Sequence, residues 1–169
     1  QTDRKPGTDG KAHHATPKSS EYIRYLEVNP YWNVPNSIAA NEMLPMLKKN
    51  PRYLANQHMR LYEAGDNYRT EISPSSIAWG SVSKSQMRRY AIRQEPGPWN
   101  ALGVVKFAFP NKYSVFLHDT ANRGLFSQQD RALSHGCIRV SKPIDLAVFL
   151  LDTPEAPRTK SDIESLVAQ

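Results

Sequence analysis

The sequence SHGCIR at residues 134–139 contains the only cysteine of this 169-residue chain. A cysteine attacks a carbonyl carbon as its thiolate, and a free thiol is ionised only to a few per cent at neutral pH. A nucleophilic role for Cys137 therefore requires a base or a positive environment, and histidine is the side chain best suited to accept a proton near pH 7. The candidates are His135, beside the cysteine, and His118, which ends the apolar run 113–117.

We predict that His118 is the base. The apolar run before it predicts a strand, and a strand end can direct the ring towards a sulfur on another strand. His135 cannot easily turn back onto Cys137, so a loop-shaping hydrogen bond and a supporting catalytic role both remain open for it. The base also needs an orienting group. The carboxylate of Asp119 is disfavoured, because adjacent residues of an extended segment point to opposite faces.

The transition state of acyl transfer carries an oxyanion, which backbone N–H groups beside a glycine can stabilise. Gly136 and Cys137 are the expected donors, with Ser134 or His135 supporting the loop. If this segment is extended, Cys137 and Arg139 face the same side. The guanidinium can then contact the thiolate or bind a substrate carboxylate through two hydrogen bonds.

The composition favours an anionic partner. The chain has 22 basic and 16 acidic residues, a net charge of +6 and a pI near 9.5. The basic residues are scattered and no nucleic-acid-binding motif accompanies them, so we predict no nucleic-acid partner. The set Cys137, His118 and His135 lacks a fourth ligand for zinc, and we predict no metal site.

Residues 1–20 contain almost no apolar side chains and predict a flexible arm or a long surface loop. Helices are expected over residues 36–49, where Pro45 must kink or shorten the helix, and over 143–151 and 159–169. The helix ending at residue 151 is apolar on nearly all sides and is expected to be buried, with Ser141 as its cap. Alternation predicts strands at residues 22–28, 58–64, 90–94, 103–109, 113–118 and 138–140.

Four stretches together resemble the YkuD-type L,D-transpeptidases of bacterial cell walls. The most specific is His118 followed, after residues 119–133, by Ser134-His135-Gly136-Cys137. The others are Asn29-Pro30-Tyr31-Trp32-Asn33-Val34-Pro35, Arg93-Gln94-Glu95-Pro96-Gly97 and Asn100-Ala101-Leu102-Gly103. Many members carry Asn where this chain has Arg139, and this difference points to the large periplasmic branch with a capping insertion.

The resemblance implies an α/β (α+β) domain with a mostly antiparallel, β-sandwich-like core, short helices and an inserted helical cap. The catalytic domain would span residues 21–152, with the cap at about 36–90 and a peripheral C-terminal helix at 153–169. A cap of this kind excludes water from acyl intermediates.

The resemblance also implies an activity, the formation of diaminopimelate-to-diaminopimelate cross-links in peptidoglycan. Cys137 would attack the bond between meso-diaminopimelate and D-Ala in a donor tetrapeptide, release D-Ala, and pass the thioester to an amine of an acceptor stem. The main-chain carbonyl of Asp119 would orient His118. No metal or organic cofactor is implied, and carbapenems are expected to acylate the same sulfur.

Substrate contacts are expected from Arg139, Ser134, Trp32 and Tyr31, with packing equally open for the two aromatic residues. Two enzymatic alternatives use the same nucleophile, an L,D-carboxypeptidase and a lipoprotein-to-peptidoglycan ligase. A catalytically silent wall-binding module is the third alternative. The expected location is the periplasm or cell envelope. Because the chain begins at Gln1 rather than Met, we expect that an export signal has been lost upstream.

Overall fold

The computed structural model describes residues 16–17, 19–129, 134 and 136–169. They form two compact units. The terminal unit combines the described residues up to Pro30 with those from Ala101 onwards, and the inserted unit is the segment Tyr31–Asn100. The arm expected at residues 1–20 lies mostly outside the described residues.

The described residues contain eight strands, namely β1 (Tyr25–Val28), β2 (Trp32–Asn33), β3 (Met59–Glu63), β4 (Glu71–Ile72), β5 (Tyr90–Gln94), β6 (Val105–Ala108), β7 (Leu117–His118) and β8 (Ile138–Arg139). The α-helices are α1 (Asn36–Ile38), α2 (Leu44–Lys49), α3 (Tyr53–Asn56), α4 (Pro143–Leu151) and α5 (Lys160–Val167). Short 3-10 helices lie at Pro74–Ser76, Trp79–Ser81, Gln86–Arg89 and Arg123–Ser127. Two mostly antiparallel sheets with a few short helices confirm the expected α+β class.

The terminal unit is built on a four-stranded sheet in the order β1-β6-β7-β8. The first two pairings are antiparallel, whereas β7 and β8 are parallel. One face of the sheet packs against α4 and α5, with Phe107 fully buried among Ala147, Ile163 and Leu117. Burying a phenylalanine side chain contributes about 1.5 to 3 kcal/mol, so this apolar face anchors the sheet.

The helix α4 differs from its prediction in two respects. It is not buried all round, because only Pro143 and Ala147 are buried and 79% of Phe149 is exposed. Its N-cap is Lys142 rather than Ser141, and no side chain caps it. One face of the helix lies on the sheet and on α5, so the apolar residues on its other face remain at the surface.

The inserted unit has its own antiparallel sheet, in the order β2-β5-β3-β4, in addition to the helices expected for a cap. Helical structure runs from Asn36 to Lys49 as predicted, but Ala39–Met43 is a π-helix, and the N–H of Leu44 donates to the carbonyl of Ala39. Pro45 has no N–H and its ring would clash with the carbonyl four residues earlier. The wider turn before it accommodates the proline within a continuous helical segment.

Within the described segments, none of the helices has the length and apolarity that crossing a bilayer requires.

Candidate active site

A row of four polar residues crosses the sheet of the terminal unit. Glu27 pairs with Lys106, Lys106 with His118, and His118 with Arg139. Cross-strand partners lie on the same face of a sheet, and successive residues alternate between faces. Since Phe107 faces the apolar core, these four side chains lie on the opposite face. The row is hereafter called the polar row.

Cys137 lies beside this row, immediately before β8. The N–H of Ile138 donates to the carbonyl of Phe116 at 3.1 Å, and the thiol contacts the carbonyl of Ser114 at 3.9 Å. Cys137 is two residues from Arg139 along the extended chain, so both face the same side. The parallel pairing of β7 with β8 thus brings the predicted nucleophile and the predicted base onto one face of adjacent strands.

His118 is buried, with 4% of its surface exposed. Its Nδ1 forms a hydrogen bond with the main-chain carbonyl of Asp119. A carbonyl can only accept, so Nδ1 carries the proton and Nε2 is left as the basic nitrogen. The pKa of His118 is lowered to about 4, chiefly by burial; the contacts with Asp119 oppose this change, and the charge of Arg139 adds to it. The ring is therefore neutral at pH 7 and able to accept a proton.

The carboxylate of Asp119 is directed elsewhere. Its Oδ2 accepts the N–H of Val104 at 3.0 Å, and its Oδ1 is 2.6 Å from Nη2 of Arg123. Gly103 adopts φ +63°, and a Cβ at this position would lie 2.3 Å from Oδ2. Glycine is required there both by the backbone conformation and by the close approach of the carboxylate. The main-chain carbonyl of Asp119 thus holds the His118 ring, and its carboxylate holds the turn at Gly103 and Val104.

The thiol of Cys137 is partly buried, and this burial raises its pKa. A hydrogen bond with the main chain of Phe116 and the positive charges of Arg139 and Lys106 act in the opposite direction. Burial also lowers the pKa of Arg139, and the charge on Cys137 opposes that change. The thiolate therefore depends on two cations and a hydrogen bond to offset its loss of hydration.

Ser134 shapes the loop that carries the cysteine. Its hydroxyl donates to the carbonyl of Cys137 at 2.6 Å and accepts the N–H of Gly136 at 3.3 Å. Gly136 adopts φ +117°, and its carbonyl accepts the hydroxyl of Thr16 at 2.7 Å. The Gly136 N–H, an expected oxyanion donor, is thus held by Ser134 in this structure. His135 lies outside the described residues.

The two aromatic residues predicted to contact substrate lie in the inserted unit. Trp32 is partly buried and packs against the core of that unit, as a structural role predicts. Tyr31 is 50% exposed, and the guanidinium of Arg93 lies 4.9 Å from the centre of its ring. The structure therefore separates the two, with Trp32 in the packing and Tyr31 at the surface.

Three residues of this site, namely Lys106, Glu27 and Thr16, were not predicted from the sequence. Lys106 and Glu27 each occupy a polar position in an alternating strand, which predicts only the face opposite the core. The pairing of the strands places Lys106 beside His118, and Glu27 beside Lys106. In the ranges that the structure covers, no group of three or more His, Cys, Asp or Glu side chains is arranged to hold a metal ion.

Two comparisons with known proteins bear on this site. The family model of YkuD, described as the L,D-transpeptidase catalytic domain, matches residues 4–159. A protein of Haemophilus influenzae named "Putative L,D-transpeptidase" is 39% identical over 136 residues, which cover 80% of this chain and 27% of that protein. The chain thus spans about a quarter of the length of this relative.

Proposed function

The chain belongs to the YkuD family of L,D-transpeptidases, and we propose that it joins two diaminopimelate residues of peptidoglycan through a thioester on Cys137. Membership implies an acyltransferase that acts on peptidoglycan in the cell envelope. The observation that carries the proposal is the placement of Cys137, His118 and Arg139 on one face of the parallel pair β7–β8.

In the acylation step, Nε2 of His118 takes the proton from the thiol of Cys137. The sulfur attacks the carbonyl carbon between meso-diaminopimelate and D-Ala of a donor tetrapeptide, and a tetrahedral oxyanion forms. When the carbon–nitrogen bond breaks, the imidazolium gives its proton to the leaving amine, and D-Ala departs. A neutral, buried imidazole suits this exchange, because it is unprotonated before the attack.

In the second step, the side-chain amine of an acceptor stem attacks the thioester. His118 accepts a proton from this amine, the carbon–sulfur bond breaks, and the thiol of Cys137 is restored with that proton. The new amide links the two diaminopimelate residues. The N–H groups of Gly136 and Cys137 are the proposed donors to the oxyanion in both steps, each worth about 3 kcal/mol, and the Gly136 N–H would exchange its 3.3 Å hydrogen bond with Ser134 for one with the oxyanion.

The remaining residues have supporting roles in this proposal. The carbonyl of Asp119 keeps the ring of His118 in the basic Nε2 form, and Ser134 holds the loop. Arg139 binds the thiolate or a substrate carboxylate. His135 supports the loop beside the sulfur. The segment 36–90 is the proposed cap subdomain, and water must be kept from a thioester if an amine rather than water is to attack it.

The substrate contacts extend to Tyr31 and Trp32 in the proposal, of which Tyr31 has the exposed ring that a ligand can stack on. Carbapenems would acylate Cys137 as carbonyl compounds that imitate the donor. The protein would act in the periplasm or the cell envelope, where its substrate is located.

The test is intact-protein mass spectrometry of the chain after incubation with a carbapenem, followed by product analysis with purified tetrapeptide muropeptides. We expect one adduct on the protein and a cross-linked dimer as product. The variant Cys137→Ser is expected to give neither. A tripeptide product would instead indicate a carboxypeptidase, a lipoprotein conjugate would indicate a ligase, and peptidoglycan binding without an adduct would indicate a silent module.

A further inference from the structure

Lys106 lies on the polar row next to His118, and the proposed chemistry does not use it. Its Nζ is 3.0 Å from Oε1 of Glu27, and only 19% of its side chain is exposed. The same nitrogen lies 4.7 Å from the centre of the Phe116 ring. A lysine side chain on a strand is free to extend into water, whereas these two contacts hold this ammonium over the site face of the sheet.

Phe116 connects this ammonium to the reacting groups. Its ring centre is 5.8 Å from that of His118, and its carbonyl accepts the N–H of Ile138, the residue after Cys137. The aromatic ring attracts the ammonium to its face and excludes water from beside it. The ammonium of Lys106 is thereby held on the face of the sheet that carries His118 and Cys137, with 19% of the lysine side chain exposed, and its charge favours the thiolate of Cys137.

The charges of the other groups at the site indicate why the ammonium of Lys106 matters for the thiolate of Cys137. His118 is neutral before it takes the proton, so it adds positive charge beside the sulfur only as the proton is transferred, whereas a lysine ammonium is charged beforehand. The carboxylate of Asp119 is paired with Arg123 and that of Glu27 with Lys106. Arg139 and Lys106 are the cations whose charges act on Cys137.

We propose that Lys106 is a positioning residue for the Cys137 thiolate, with Glu27 and Phe116 holding its ammonium where it stabilises the sulfur anion. Glu27 has two opposed effects, because it anchors the ammonium and also offsets part of its charge. The only chemical step that Lys106 affects in this proposal is the transfer of the thiol proton of Cys137 to Nε2 of His118. The inference rests on the proposed nucleophilic role of Cys137 and is independent of which acceptor the enzyme uses.

The experiment measures how fast iodoacetamide alkylates Cys137 as a function of pH, by intact mass of the whole chain. Iodoacetamide is uncharged, so Lys106 affects its rate only through the sulfur. Lys106→Met is expected to raise the apparent pKa of the thiol by about 1 and to slow alkylation at pH 7 by about threefold to fourfold, because a tenfold smaller thiolate fraction is partly offset by a more nucleophilic thiolate. At a pH above both pKa values, the rate of the variant is expected to equal or exceed that of the wild type, because a more basic thiolate is more nucleophilic.

Two further variants separate charge from packing. Glu27→Gln keeps the shape of the side chain and removes its charge, so the pKa of Cys137 is expected to fall, opposite to the effect of Lys106→Met. Lys106→Arg keeps the positive charge and is expected to stay within about a factor of two of the wild-type rate at pH 7. If Lys106→Met fails to fold, the direction of the Glu27→Gln change decides the question.

Lys160→Met is the matched control. Lys160 lies on α5, which packs on the apolar face of the sheet, and it pairs with Asp145 at 3.7 Å and Glu164 at 3.9 Å. The substitution removes one lysine charge and its ion pairs from the same unit. The alkylation profile of Cys137 is expected to be unchanged.

Equal profiles in the wild type and Lys106→Met would overturn the inference. Shifts of Lys106→Met and Glu27→Gln in the same direction would do so as well, because loss of the ion pair would then explain both. A chain that shows the expected shifts and yet forms no product from stem peptides would refute the proposed function and leave the role of Lys106 intact. Cross-linking activity with an unshifted thiol would refute the role of Lys106 and leave the proposed function intact.

Discussion

The two units each carry a four-stranded sheet with a polar row, and the rows differ in their exposure to water. In the inserted unit, Asn33 pairs with Arg93 and Arg93 with Arg60. The side chain of Arg60 is 49% exposed and pairs with Glu71 at 3.1 Å and with Glu95 at 2.6 Å. These hydrogen bonds and charges raise the pKa of Arg60, so its guanidinium stays in the charged form.

The polar row of the terminal unit has the opposite character. His118 is nearly inaccessible, and burial is the largest influence on the pKa of His118, Cys137 and Arg139. Each of these groups is pushed towards its uncharged form. The difference between the two rows indicates that a charged row on a sheet is ordinary surface when water reaches it, whereas burial shifts the pKa values of its members away from their usual range, as is common at functional sites.

The largest expected effect comes from removing the buried His118, the proposed base. His118→Ala is expected to slow acylation of Cys137 by a carbapenem at pH 7 by about 10²- to 10⁴-fold, because no group then takes the thiol proton. Rates are measured by intact mass against time. The matched control is His58→Asn in the inserted unit, where the histidine ring stacks on Trp99 at 3.7 Å. Comparable decreases in the acylation rate of His118→Ala and His58→Asn would contradict the view that only the buried histidine of the terminal unit acts on Cys137.

The next effect concerns the turn beneath Asp119. Gly103→Ala is expected to lower the free energy of unfolding by about 3 kcal/mol, since it adds backbone strain and a clash with the carboxylate. Urea unfolding measures the change. Gly80→Ala in the inserted unit is the control, because Gly80 lacks a positive φ and its Cβ would have nothing within 4 Å. A stability loss as large at Gly80 would refute the explanation by close approach.

The smallest effect is the pH dependence of stability due to His118. Its pKa is about 4 in the folded chain and near 6.5 when unfolded, so the unfolded state binds more protons between these values. Stability is expected to fall as pH drops through this window, by roughly 2 to 3 kcal/mol between pH 7 and pH 4.5.

Urea unfolding of the wild type and of His118→Asn at both pH values measures this contribution. The exposed carboxylates Asp66 and Asp162, whose pKa values are lowered by hydrogen bonds, are present in both proteins and cancel in the difference. An identical pH dependence in the two proteins would show that His118 titrates normally in the folded state.

Local patterns predicted much of this architecture. Alternation located β5 at residues 90–94 with its observed bounds, and it located the hairpin in which β6 and β7 pair. The apolar pattern of α4 predicted burial on all sides, which is wrong. An apolar helix is buried on all sides only if every side has a packing partner, and Phe149 lies on the side of α4 that the core does not cover. The parallel pairing of β7 with β8 also lay beyond local patterns, since it joins strands separated by a long polar loop.

The sequence by itself determined the candidate nucleophile, as the chain has a single cysteine, and it determined the motif that places a histidine at the end of the preceding strand. It also determined which strand residues are polar. Only the tertiary structure decided that Lys106 and Arg139 flank His118, and that the ring is buried enough to be neutral at pH 7. The reason is that strand register and loss of hydration depend on residues brought together through space, which local sequence patterns do not specify.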